Sequence, residues 1–117
     1  MKALSLIQPY LNNIIEGKKK IETRNWKTDH RGDLLLCASK SVEIEPYGKA
    51  LCVIKLIDCR KMTKGDEVDA CCQWNDQKYA WIFTDLRLIR PFDLPGRGGL
   101  FDVKDEKIMF LSPKLSK

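Results

Sequence analysis

Gly17-Lys18-Lys19-Lys20-Ile21-Glu22-Thr23-Arg24-Asn25-Trp26 packs three lysines, a glutamate, an arginine and a tryptophan into ten residues. A strand turns successive side chains to opposite faces. A strand over residues 20–26 therefore puts Lys20, Glu22, Arg24 and Trp26 on one side, and Ile21 and Thr23 on the other. Lys19 lies at the strand mouth, within reach of either face. A charged face ending in an aromatic ring is what a ligand-facing wall looks like. The rest of the chain reads as scaffold for it.

Immediately upstream, Tyr10, Leu11, Ile14 and Ile15 recur at the spacing of one helix face. Pro9 suits a first helical position, where its missing N–H would be unpaired anyway. Gly17 stands where a helix-terminating glycine belongs. A helix over residues 9–16 is about two turns long and must pack on a sheet to persist. Before it, residues 2–7 read as a first strand closed by Gln8-Pro9.

Downstream, residues 27–33 form a loop with turn chemistry at Arg31-Gly32-Asp33. The run Leu34-Leu35-Leu36-Cys37-Ala38 suits a strand buried on both faces. Residues 41–48, with Pro46 and Gly48, read as a loop or a turn of helix, and residues 50–57 are the strongest strand in the chain. Residues 60–78 are polar and without clear period; they read as a long loop beside the site, with at most a short helix around Val68 and Ala70. Strand character returns over residues 79–89. Pro91, Pro95 and the glycines from Gly96 to Gly99 then break the chain, and residues 100–103 and 108–111 read as two final short strands. Together these elements predict an α+β fold: a small, partly open β-barrel of five or six strands with one or two short helices. At 117 residues the chain reads as a single domain over residues 1–117.

Composition bounds the function. No apolar run approaches the ~20 residues of a membrane span, and the opening run is too short for a signal segment. The chain reads as cytoplasmic and complete at its N-terminus. The five cysteines, Cys37, Cys52, Cys59, Cys71 and Cys72, form no Cys-x-x-Cys pair, and His30 is the only histidine. That set supplies neither a zinc site nor a disulfide framework, so no metal and no cofactor is implied. A formal net charge of +5 favours an anionic partner such as nucleic acid. Lys18, Lys19 and Lys20, with the tail lysines Lys114 and Lys117, supply much of the excess.

With these residues in order, the chain resembles an ASCH domain of the PUA-like superfamily. The resemblance begins at Ala3-Leu4-Ser5 and Gln8-Pro9-Tyr10. It continues through Gly17, Lys19, Glu22, Arg24 and Trp26, then Arg31-Gly32 and Ala38-Ser39-Lys40. It closes with Tyr79-Ala80-Trp81 and the run from Gly96 to Phe101. It implies a barrel-like fold with a cleft beside the first helix, and an association with RNA or nucleotides. Some members are similar to amidohydrolases that remove the acetyl group from N4-acetylcytidine, and a ribonuclease activity has been proposed in the family. The deacetylating members match this chain at Lys19, their catalytic lysine, but have a threonine nucleophile where this chain has Glu22. Their acidic partner falls within residues 60–78, where Glu67 and Asp69 are candidates. Many relatives have a histidine in place of Cys37.

The candidate site follows. Lys19 in a cleft can act as a base, or stay charged and hold a phosphate or oxyanion. Glu22 and Arg24 form either an ion pair that orients Lys19 or a working pair. In the second case the carboxylate activates water or accepts an exocyclic amino group, and the guanidinium grips a phosphate or base edge. Tyr10, Trp26 and Trp81 are either core rings or stacking platforms. Gln8, Ser39 and Lys40 could edge the same pocket, and Arg97 could contact phosphate from its glycine loop. The first reading is an RNA- or nucleotide-binding module built on Gln8, Tyr10, Lys19, Arg24, Trp26, Ser39, Lys40, Trp81 and Arg97. The alternative is an amidohydrolase for N4-acetylcytidine-type nucleosides, with Lys19 and Glu22 catalytic. Metal-assisted RNA cleavage is the weakest, because the carboxylates are not clustered as ligands.

Overall fold

The computed structural model describes residues 1–111; Lys114 and Lys117 lie outside the described residues. The chain runs β1 (Lys2–Leu6), α1 (Tyr10–Ile15), β2 (Ile21–Arg24), β3 (Gly32–Ala38), β4 (Lys49–Lys61), α2 (Glu67–Ala70), β5 (Tyr79–Asp93) and β6 (Leu100–Asp102). The six strands form one sheet in the order β2-β5-β4-β3-β1-β6. Only β1 and β3 are parallel; the remaining pairs are antiparallel. The sheet curls into a half-barrel with β2 and β6 at its two ends, the α+β, partly open barrel that the pattern of strands and turns predicts.

The core sits on both faces of the sheet. Leu4, Leu6, Leu34, Leu36, Leu56 and Trp81 pack on one face against Leu11 and Ile14 of α1. Ala3, Leu35, Cys37, Val53 and Ile89 pack on the other. Residues 34–38 are buried throughout, because alternate side chains of β3 enter opposite clusters.

Helix α1 is short, so its ends matter. The Gln8 side chain accepts a hydrogen bond from the Asn12 backbone N–H (3.0 Å) and donates to the Pro46 carbonyl (2.8 Å). Pro9, expected as the first helical residue, takes the capping position instead, and the helix starts one place later at Tyr10. At the other end Gly17 adopts φ +81°, open to glycine without strain. The Gly17 N–H bonds the Ile14 carbonyl (3.0 Å) and the Lys18 N–H bonds the Asn13 carbonyl (2.9 Å). That pair of bonds is a Schellman motif, and it turns the chain straight into β2.

Several expected boundaries shift for physical reasons. Strand β2 holds only Ile21–Arg24, so Lys20 and Trp26 lie outside it. Asp33 is not in a turn: β3 begins at Gly32, and the Asp33 carboxylate takes two hydrogen bonds from Arg87 on β5. Strand β4 runs on to Lys61, bending through register shifts. Strand β5 continues through Pro91, which was expected to break it. There β5 bulges, with Ala50 opposite Phe92 and Cys52 opposite Leu88, and a bulge tolerates a residue without N–H. Residues 108–111 form no strand; they meet β5 through a single bridge between Phe110 and Ile89.

Candidate functional site

Strands β1 and β2 are separated by three others in the sheet order, yet the curl brings them together. Beyond Leu4, β1 has no β6 neighbour, and the Arg24 guanidinium reaches the Ser5 carbonyl across the gap (2.7 Å). This seam, roofed by the start of α1, is a cleft of about 420 Å³. Ligand sites typically enclose about 300–1,000 Å³.

Four charged side chains furnish the cleft. Lys19 is 3% exposed; its Nζ donates to the Ala70 carbonyl (2.6 Å) and lies 3.5 Å from Glu22 Oε1. Glu22 Oε2 accepts from Arg24 Nε at 3.0 Å. Glu22 and Arg24 therefore share a face of β2, as alternation requires, and Lys19 comes to them from the turn. A guanidinium has five N–H donors. Among the described residues Glu22 and Ser5 engage two of those on Arg24. Tyr10 stands at the mouth, 44% exposed, with Lys19 Nζ 5.4 Å from its ring centre, a cation–π distance. Lys78 lines the cleft as a third cation.

The turn into β2 and the free edge of β2 are covered by the end of α2 and the two residues after it. The Lys20 N–H bonds the Asp69 carbonyl (2.7 Å), and Lys19 bonds that of Ala70. Cys71 Sγ lies 3.4 Å from the Lys18 carbonyl, and Cys72 Sγ lies 3.8 Å from Thr23 Oγ1. An edge strand with unpaired groups needs such a cover. It also brings the expected long loop beside the cleft.

The other sequence candidates lie elsewhere. Trp81 is fully buried, edge-on to Trp26 with ring centres 4.9 Å apart, and its N–H bonds the Trp26 carbonyl. Trp81 belongs to the core, and the partly buried Trp26 packs against it outside the cleft. Gln8 is taken up by α1 and the Pro46 loop. The Ser39 hydroxyl pairs with that of Ser41, and the exposed Lys40 packs over Gly48. Arg97 is exposed outside the cleft, although its neighbour Gly96 sits so close to Ser5 that a Cβ would collide with the Ser5 side chain. Lys20 is exposed outside the cleft. Glu67 accepts from the Trp74 N–H and Asp69 is exposed, so neither lines the cleft. The buried acid of that segment, Asp66, is held by two hydrogen bonds from Arg60. Sequence reading missed Ser5, Thr23, Cys72 and Lys78. Only the loop expected beside the site hinted at the last two, and Thr23 enters because the cleft wraps the β2 edge.

A six-stranded half-barrel with a cleft at its seam and a short helix over it is a PUA-like architecture. The family model for the ASCH domain matches residues 4–93. The chain belongs to the ASCH domain family, a PUA-like family whose members often bind RNA. Among solved structures it is similar to the ASCH protein of Zymomonas mobilis. The identity is 15%, the TM-score 0.70, and the match covers 91% of this chain and 89% of that one. A single-residue variant of the Zymomonas mobilis protein matches at 15% identity and TM-score 0.65, over 91% of each chain. At that identity the likeness establishes the fold alone. No curated protein matches the chain. No helix among the described residues is long and apolar enough to cross a membrane.

Proposed function

We propose that the seam cleft binds a nucleotide or a short segment of single-stranded RNA. One observation carries the reading. A half-exposed aromatic ring, Tyr10, stands beside two buried or half-buried cations, Lys19 and Arg24, in a cleft of nucleotide size. An unpaired base stacks on an exposed aromatic side chain, and its phosphate is met by cations alongside. Glu22 fixes the direction of both cations and leaves Arg24 N–H groups for a phosphate. Lys78 raises the lining to three cations against one carboxylate, which supports an anionic ligand.

The test is fluorescence anisotropy with a short labelled single-stranded RNA over a range of salt. Affinity falls as salt rises, with a log–log slope of about −0.7 per phosphate contact. Arg24→Met weakens binding and flattens the slope, and Tyr10→Ala weakens it with the slope unchanged. Binding that ignores salt, or that both variants leave intact, contradicts the reading.

A second reading is supported by the Lys19–Glu22 pair at 3.5 Å inside the cleft. In that reading the pair activates water for attack on the acetyl-amide carbon of an N4-acetylcytidine-type nucleoside. Cytidine appearing on incubation with N4-acetylcytidine, and its loss in Glu22→Gln, would favour hydrolysis over binding.

A further inference from the structure

Arg24, Tyr79 and Lys61 form one row across three strands. Arg24 of β2 is directly opposite Tyr79 of β5, and Tyr79 is directly opposite Lys61 of β4. Directly opposed residues project from the same face of a sheet, so all three point to the face that carries the cleft. They also stand at strand ends: Arg24 and Lys61 are the last residues of theirs and Tyr79 is the first of its own. The row is therefore the rim of the half-barrel. In the next row inward on that face, Trp81 and Cys59 close into the core and Glu22 lines the cleft.

The rim carries its own cation and ring. Lys61 Nζ lies 5.0 Å from the Tyr79 ring centre and donates to the Asp76 carbonyl (2.8 Å). Tyr79 is half-buried, packed below against the core. Lys78, next to Tyr79, lines the cleft itself. Among the described residues, neither Lys61 nor Lys78 has a carboxylate within ion-pair distance. One cation thus covers the ring, and two more, Arg24 across the ladder and Lys78 next in sequence, lead from it into the cleft.

We propose that Tyr79 and Lys61 form a second nucleotide subsite, continuous with the cleft through Arg24 and Lys78. The ligand is then single-stranded RNA of two or more nucleotides, leaving the seam over the ends of β5 and β4. The step between subsites is short, because neighbouring strands are only about 4.8 Å apart. The proposal rests on the binding reading above. Lys61 would turn from the Asp76 carbonyl to a phosphate, and the base would settle on the Tyr79 ring that Lys61 now covers.

The experiment compares cytidine 5′-monophosphate with a cytidine tetranucleotide RNA, by calorimetry, on wild type, Tyr79→Ala and Lys61→Met. Tyr79 touches the core, so Lys61→Met, an exposed change, keeps the test decisive if Tyr79→Ala folds poorly. The tetranucleotide binds wild type more tightly than the monophosphate does. Loss of a stacked base lowers tetranucleotide affinity about five- to a hundredfold in Tyr79→Ala. Lys61→Met lowers it too and flattens the salt slope by about 0.7, while monophosphate binding is unchanged in both variants. A tetranucleotide that binds no better than the monophosphate, or equally well to Lys61→Met, overturns the subsite and leaves the cleft standing. Failure of both ligands to bind wild type removes the cleft reading and the subsite with it.

Discussion

Replacing Lys19 with methionine tests the wiring of the cleft on two scales at once. The stem keeps much of its packing and the ammonium is lost. The Ala70 carbonyl, 2.6 Å from Nζ, then has no side-chain partner, and an unpaired buried acceptor costs about 1–3 kcal/mol. Glu22 loses one of its two cations but keeps the 3.0 Å bond from Arg24. The full ~3–5 kcal/mol of a broken buried ion pair therefore does not apply. The expected loss is about 2 kcal/mol, or roughly 8 °C in a chain of this size. On the binding side, one fewer phosphate contact makes the RNA salt slope shallower by about 0.7. Lys20→Met is the matched control: the same charge is removed one residue away, from an exposed side chain outside the cleft. It should change stability by less than about 0.5 kcal/mol and leave the slope alone. Thermal unfolding followed by circular dichroism reads the first effect, and anisotropy the second. Equal stability losses from the two variants would refute the buried role of Lys19. Equal slope changes would mean that binding follows net charge and not a site.

Tyr10 and Trp81 should separate cleanly. Trp81→Ala empties a fully buried core position and should cost about 3–5 kcal/mol of stability; Tyr10→Ala should weaken RNA binding and change the unfolding midpoint little. Asp66 should contribute to acid sensitivity. Hydrogen bonds from Arg60 hold its carboxyl at about 2, below the ordinary 3.8. A lowered folded-state value gives stability that is present above pH ~4 and lost as pH falls towards 2. The difference is worth about 2.5 kcal/mol at face value; Arg60 is 43% exposed, and screening reduces this to roughly 1 kcal/mol. Asp66→Asn should remove that part of the decline in urea unfolding between pH 5 and 2, and an unchanged profile would contradict the pairing. Among the five free thiols, burial pushes Cys37 up to about 11 and Cys52 up to about 12. Iodoacetamide on the native protein should label the exposed Cys71 and Cys72 and spare those two until unfolding. Bound RNA should protect Cys72, which lines the cleft, and leave Cys71 reactive.

Much of the architecture is legible in sequence because it rests on local rules. Gly17 at a helix end and the apolar run of residues 34–38 each map to one element through a single requirement: positive φ in one case, two-sided burial in the other. Alternation along β2 also puts Glu22 and Arg24 on one face without knowledge of the fold. What local rules miss is the curl. Nothing in the residues of β1 shows that the Ser5 carbonyl lies opposite Arg24, since that contact depends on three intervening strands. The same holds for Thr23, which alternation assigns away from Glu22 but which the β2 edge returns to the cleft. Trp26 and Trp81 have the same composition signal as a stacking platform; only packing shows that they meet each other. Pro91 marks a break by local rules, and β5 passes through it because the ladder bulges there.

The most direct test of the account is a titration of isotope-labelled protein with the cytidine tetranucleotide, followed by backbone amide NMR. Saturable shifts are expected, concentrated at Tyr10, Lys19, Thr23, Arg24 and Cys72 and spreading along the rim to Tyr79 and Lys61. Shifts scattered over the other basic side chains, such as Lys40, Lys104 and Arg97, with those seven residues unmoved, would contradict it.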